Sequence, residues 1–108
     1  DEKFEDYRNT VDFIQKYIFP GGMLICPGKI KENCLATGLQ LTNQYMLGKS
    51  YAQTLDLWRV AFLKNWHEIA PLGFDDRFKR MWDYYLVYTS AGFKSGSINV
   101  GQFCLTKV

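Results

Sequence analysis

The sequence has 108 residues, is 47% apolar and 17% aromatic, and carries a formal charge of +2. That length allows one domain at most. So small a charge, with no basic run interleaved with aromatics, argues against a nucleic-acid partner. No apolar run approaches the roughly 20 residues of a membrane-spanning helix, so membrane contact is expected to be peripheral. The start Asp1-Glu2-Lys3-Phe4-Glu5-Asp6 is acidic and lacks the apolar core of a signal peptide. Cys26, Cys34 and Cys104 are odd in number and lack C-x-x-C spacing. They are expected to be reduced, mostly buried thiols rather than a disulfide frame or a metal site.

Along the chain, Tyr7, Val11, Ile14 and Ile18 recur at helical spacing and predict a helix near 4–18, ended by Pro20-Gly21-Gly22. A short helix near 28–37 follows, with Ile30 and Cys34 one turn apart and Gly38 as its stop. Leu39-Gln40-Leu41-Thr42 alternates and reads as a strand. Ser50 and Gln53 have capping-box spacing and open a long helix with the stripe Tyr51, Leu55, Trp58, Phe62, Trp66, Ile69. Pro71 and Gly73 end it. Asp75 suits the N-cap of the next helix, whose stripe is Phe78, Trp82, Tyr85, Thr89, Phe93, with Met81 and Tyr88 beside it; Gly96 breaks it. Residues 98–106 predict a second strand, with Ile98 and Val100 on one face, Phe103 and Leu105 on the other, and a bulge at Gly101. Read alone this is α+β with several helices and a small sheet.

Motifs that make an enzyme unaided are missing: no glycine-rich loop of the nucleotide-binding kind follows a strand. His67 lies off the apolar stripe between Trp66 and Glu68 and reads as a surface residue, since a catalytic base needs a partner. Lys79 and Arg80 could meet phospholipid head groups, though a solvated surface role is the plainer reading. The sharper pattern is aromatic. Tyr51 and Leu55 share one helix face, and Tyr85, Thr89 and Phe93 share another. Helices joined by a short turn pack antiparallel, so these faces can meet. Phe19 and Leu24, flanking the Pro-Gly-Gly turn, could close the mouth of such a cavity. Spacing alone favours plain core for all seven. The hydroxyls of Tyr51, Tyr85 and Thr89 press the other way, because buried hydroxyls need partners and so imply water, an ion or a ligand.

The run Tyr17-Ile18-Phe19-Pro20-Gly21-Gly22-Met23-Leu24 resembles a signature of the cyclopropane-fatty-acyl-phospholipid synthase family. The likeness continues in Tyr51-Ala52-Gln53-Thr54-Leu55, in Arg77-Phe78-Lys79-Arg80-Met81-Trp82-Asp83-Tyr84-Tyr85-Leu86, and in Ala91-Gly92-Phe93 with Gly101-Gln102. It implies an α/β fold: 1–108 would be the C-terminal portion of a class I S-adenosylmethionine-dependent methyltransferase (Rossmann-like) domain, without the N-terminal, cofactor-binding half. The strands would be antiparallel neighbours, and the helix pair a lipid-side cap. The implied activity of the whole protein is transfer of a methylene from S-adenosylmethionine to the cis double bond of unsaturated phospholipid acyl chains, in the cytoplasm at the inner membrane face. A homodimer is compatible with this. The isolated chain is expected to be inactive and to bind neither the cofactor nor a metal. The resemblance assigns Tyr51 to holding a bicarbonate base, and Phe19, Leu24, Leu55, Tyr85, Thr89 and Phe93 to the acyl chain. Thr89 stands where relatives often carry cysteine, and Ile25-Cys26 replaces the usual Pro-Ser after Leu24. The alternatives are a lipid methyltransferase that closes no ring, and a non-enzymatic module binding lipid or protein through its aromatic face.

Overall fold

The computed structural model describes residues 1–8 and 12–108, which form two compact units. The first comprises 1–45 and 102–108, the second 46–101.

In the first unit, α1 (Phe4–Arg8) is short. The expected helix near 4–18 does not continue as one α-helix. It gives way to a π-type turn at Ile14–Ile18, closed by the Phe19 N–H donating to the Ile14 carbonyl at 2.8 Å. Val11 of the predicted stripe lies outside the described residues. A local polar competitor explains the turn. Asp12 and Gln15 form a reciprocal cap: the Gln15 N–H donates to Asp12 Oδ1 at 2.9 Å and the Asp12 N–H to Gln15 Oε1 at 3.1 Å. Each side chain thereby satisfies a backbone donor that a new helical start leaves open. Gln15 Nε2 also donates to the Gly22 carbonyl, tying down the turn that follows. That turn has proline second and glycine third, with Gly21 at φ +79° and the Gly22 N–H donating to the Phe19 carbonyl at 2.8 Å. This is the type II arrangement, for which only glycine is unstrained at the third position.

Next, α2 (Pro27–Ala36) buries Cys34. Proline suits its first position because the N–H it lacks has no intrahelical partner there. Gly38, at φ +75°, ends the segment as expected. Of the three thiols only Cys34 is buried; Cys26 is intermediate and Cys104 exposed, so the expectation of mostly buried cysteines holds for one. The strands β1 (Leu39–Met46) and β2 (Gly101–Lys107) pair as a two-stranded antiparallel sheet. Thr42 Oγ1 fixes the register, 3.2 Å from the Cys104 carbonyl and 3.0 Å from Thr106 Oγ1. β2 begins at Gly101, so Ile98 and Val100 precede the strand instead of forming one of its faces.

The second unit is a helical hairpin of α3 (Gly48–Lys64) and α5 (Asp76–Ser95). The single long helix expected from Ser50 to Ile69 is interrupted at Asn65, whose Nδ2 turns back onto the Ala61 carbonyl at 2.8 Å. A short α4 (Trp66–Ile69) and a 3₁₀ turn at Ala70–Leu72 complete the connection. The expected stops and cap are present: Gly73 and Gly96 have φ of +109° and +82°, and Asp75 Oδ1 accepts from the Phe78 N–H at 2.8 Å. The Ser50–Gln53 capping box does not form, because α3 starts two residues earlier, at Gly48. Its cap comes from a distant residue: Asn99 Oδ1 accepts the Gly48 N–H at 2.8 Å, while the Leu47 N–H donates to the Val100 carbonyl at 2.7 Å. A Cβ on Gly48 would collide with the Asn99 amide, which is why glycine stands there.

The hairpin core is Ala52, Leu55, Leu86 and Phe93, with Tyr51, Phe62, Tyr85, Ile98 and Val100 packed against it. Of these four, Leu55 and Phe93 belong to the predicted stripes, and Ala52 and Leu86 lie beside them. Small residues, Ala52 and Ser90, lie at the interhelical contact and let the backbones approach, while Trp58 and Tyr88 are left half exposed. A polar row fixes the helices' register. Ser90 Oγ lies 2.6 Å from Asp56 Oδ1 and 3.3 Å from the Ala52 carbonyl, and its single proton goes to the nearer carboxylate. Lys94 Nζ reaches Asp56 Oδ2 at 2.8 Å, and Arg59 Nε pairs with Asp83. The Lys94 ammonium, and then the Ser90 hydroxyl, hold the Asp56 carboxyl below its usual range. Such solvated pairs specify alignment more than they stabilise.

Candidate functional site

The site is built on the inner wall of the hairpin. Tyr51 lies in the first full turn of α3, and its ring meets Phe93 of α5 edge to face at 5.1 Å and Trp58 at 5.8 Å. These T-shaped contacts set the positive ring edge against the negative face. Leu55, one turn on, is fully buried. Tyr85 stands two turns before Phe93 on α5 and takes the edge of Trp82 at 5.1 Å. Burial pushes the Tyr85 phenol above its usual pKa, and the neighbouring Tyr51 phenol adds to the shift. Tyr51 thus bridges between Phe93 and Tyr85, with Thr89 one helical turn from each.

Thr89 carries the most informative atom of the wall. Its Oγ1 is buried and has no hydrogen-bond partner among the described residues. A hydroxyl in a helix normally avoids this by turning onto the carbonyl one turn back or out to water. Left unmade, the bond costs about 1–3 kcal/mol. That hydroxyl lies on α5 between Tyr85 and Phe93, one helical turn from each.

The structure therefore gathers Tyr51, Leu55, Tyr85, Thr89 and Phe93 on one hairpin. Phe19 and Leu24 belong to the first unit, where they are 52% and 54% exposed. A separate cavity of about 320 Å³ opens at the start of α3, among Met46, Gly48, Ser50, Ile98 and Asn99; of the seven predicted site residues only Phe93 lines it. Sequence reasoning passed over Asn99 and Ser90, which position the helices of the site, and Gln15, which ties down the Pro20-Gly21-Gly22 turn of the first unit. The Asp-x-x-Gln spacing at Asp12 was a readable signal; the pairing of Asn99 with Gly48, 51 residues away, was not.

Of the ligands the resemblance implies, an anion such as bicarbonate would find hydroxyls at Tyr51 and at Thr89, whose Oγ1 has no partner among the described residues, while the turn from β1 into α3 would offer a cofactor a single glycine, Gly48, whose N–H already goes to Asn99.

The chain belongs to the mycolic acid cyclopropane synthetase family, whose profile matches residues 1–103. It is 45% identical over 101 residues to the tuberculostearic acid methyltransferase UfaA1 of Mycobacterium tuberculosis, covering 93% of this chain and 24% of that protein. To the cyclopropane-fatty-acyl-phospholipid synthase of Escherichia coli K12 it is 32% identical, covering 92% and 25% respectively. Among solved structures, the cyclopropane synthase MmaA2 of Mycobacterium tuberculosis superposes with a TM-score of 0.82 at 29% identity, over 98% of this chain and 40% of that one. The mycolic acid cyclopropane synthase CmaA1, complexed with SAH and CTAB, gives 0.82 at 31% identity, over 98% and 36%. The chain thus spans about a quarter of the length of these two curated relatives.

Proposed function

We propose that this chain is the C-terminal, lipid-side portion of a synthase that transfers a methylene from S-adenosylmethionine to the cis double bond of unsaturated phospholipid acyl chains, at the cytoplasmic membrane surface. The observation that carries the reading is the buried hydroxyl of Thr89, unpartnered among the described residues, on the same hairpin as the Tyr51–Phe93 ring pair. When bound elsewhere in the whole protein the cofactor supplies the electrophilic methyl, and bicarbonate supplies a base. Tyr51 donates its hydroxyl to that anion, and Thr89 offers a second. Leu55, Tyr85 and Phe93 form the dry side of the acyl channel, and Phe19 and Leu24 of the first unit are assigned to the acyl chain by the resemblance. Aromatic faces suit a reaction in which positive charge develops on the chain, because the ring quadrupole attracts cations. An apolar wall keeps water from that charge.

A second reading is methylation of the acyl chain without ring closure. It is favoured by the 45% identity to a tuberculostearic acid methyltransferase, against 32% to a cyclopropane-fatty-acyl-phospholipid synthase. The test is product analysis. The full-length protein, given isotope-labelled S-adenosylmethionine and phospholipid with cis-unsaturated chains, is expected to yield label in the acyl fraction. Proton NMR of the product then separates a ring from a methyl or methylene branch. Absence of acyl label from folded protein would reject both readings.

A further inference from the structure

The turn joining the two long helices is apolar where turns are ordinarily polar. It reads Ala70-Pro71-Leu72-Gly73-Phe74, and Leu72 is 76% exposed and Phe74 42%. Gly73 at φ +109° ends the 3₁₀ turn and sets both apolar side chains at the extreme end of the hairpin. Behind them lies an unbroken aromatic block. Phe74 meets Phe78 at 4.5 Å, Phe78 meets Trp82 at 5.8 Å, and Phe62 meets Trp66 at 5.6 Å and Phe78 at 6.4 Å. The exposed pair is thereby carried on a stiff base instead of a floppy loop.

The charges around this tip are arranged with the same sense. Lys64, Arg77 and Arg80 are exposed, and Lys79 Nζ lies 5.6 Å over the Trp66 ring. Four cations of the segment, Lys64, Arg77, Lys79 and Arg80, stand against three carboxylates, Glu68, Asp75 and Asp76, of which Asp75 caps its own helix through the Phe78 N–H and Asp76 sits in the first turn where the helix dipole favours it. Exposed Leu and Phe at the apex, Trp just behind, and Lys and Arg around them is the composition of an element that sits in the interface of an anionic bilayer. There apolar tips enter the acyl boundary and cations meet head groups.

We propose that the tip of the α3–α5 hairpin, led by Leu72 and Phe74, is a membrane-docking element for anionic phospholipid surfaces. This rests on the reading of the protein as a phospholipid-modifying enzyme, and it specifies which surface meets the bilayer. The acyl-chain wall lies on the same two helices, so docking at their tip would hold it close to its substrate.

The test uses the full-length protein and vesicles of phosphatidylethanolamine with about one quarter phosphatidylglycerol, whose anionic surface attracts basic segments. Vesicle co-sedimentation is measured for the parent, for the double variant Leu72→Asp/Phe74→Asp, and for Leu72→Trp. The double variant is expected to lose roughly tenfold or more in partition, since two apolar anchors become charged. Its melting temperature and its turnover on detergent-dispersed phospholipid should match the parent. Leu72→Trp should partition at least as tightly, with a blue shift of its added emission when vesicles are supplied. Parent-like partition of the double variant would overturn the proposal. So would a loss of folding or of detergent turnover together with no blue shift in Leu72→Trp, which would place the tip against another part of the protein or a second copy. Failure of the parent to act on detergent-dispersed lipid would count against the enzymatic reading instead, while the partition data still decide the tip.

Discussion

Replacing Thr89 by valine should make the ligand-free protein more stable and the bicarbonate-bound protein comparatively less so. Valine keeps the β-branched shape and differs little from threonine in helix propensity. It removes an Oγ1 that is buried without a partner. The desolvation cost so relieved is about 1–3 kcal/mol. In a full-length protein that corresponds to a rise in melting temperature on the order of a degree or more. A ligand that binds only the folded state adds stability in proportion to the logarithm of its concentration, about 2.7 kcal/mol at a hundredfold excess over Kd. A bicarbonate titration followed by thermal unfolding should therefore show a steep rise for the parent and a shallower one for Thr89→Val, starting from a higher value. Thr89→Cys, which restores the residue often found in relatives, should fall between. A variant less stable than the parent without bicarbonate would show that the hydroxyl is satisfied in solution, and the argument from an orphaned group would collapse.

Asn99→Ala should destabilise the protein by about 1 kcal/mol, the usual loss for a helix cap, and should raise hydrogen exchange first at Gly48, whose N–H it leaves without Oδ1. Ser50→Ala, at the cap position expected from sequence, should change stability far less; equal losses would restore the Ser50 capping box. At high pH the raised Tyr85 pKa gives a definite sign. The unfolded phenol ionises near pH 10, before the folded one, so its contribution to stability is complete below about pH 10 and falls as pH rises toward the folded value. Tyr85→Phe should flatten that alkaline loss in a pH series of denaturant unfolding, and an unchanged slope would contradict the burial assigned to it. On the acid side the lowered pKa of Asp56 predicts stability lost as pH falls below about 4, toward the depressed folded value, with Asp56→Asn removing that part of the slope.

The fold was largely legible because its punctuation is local. Gly38, Gly73 and Gly96 stop their segments with positive φ, Asp75 caps its helix, and the alternation at Leu39 marks a true strand that pairs antiparallel with the last one. What escaped depends on partners far away in sequence or on competing local bonds. Asn99 outbids Ser50 for the start of α3, Asn65 breaks the long helix by bonding Ala61, and Gln15 resets the first helix in spite of the apolar period running through it. The candidate site was legible in its residue types more than in its depth. Periodicity singled out Tyr51, Leu55, Tyr85, Thr89 and Phe93, and these do share one hairpin. It could not find that Ala52 and Ser90 form the close seam, because small residues carry no hydrophobic signal. Nor could it find that Thr89 would be the group without a partner.

The central claim, that this wall presents a base-holding hydroxyl to the reaction, is tested most directly by the bicarbonate dependence of turnover in Tyr51→Phe. The substitution removes one oxygen and little volume, so the edge-to-face packing on Phe93 should persist. One lost hydrogen bond to a charged group is worth about 1.5–3 kcal/mol, which is a rate loss of roughly tenfold to a hundredfold at limiting bicarbonate. Turnover should recover in part as bicarbonate is raised, while Tyr85→Phe, on the same wall but assigned to the acyl chain, should keep the parent's bicarbonate response. A Tyr51→Phe protein that folds, turns over acyl chains and responds to bicarbonate as the parent does would make Tyr51 a packing residue and contradict the account.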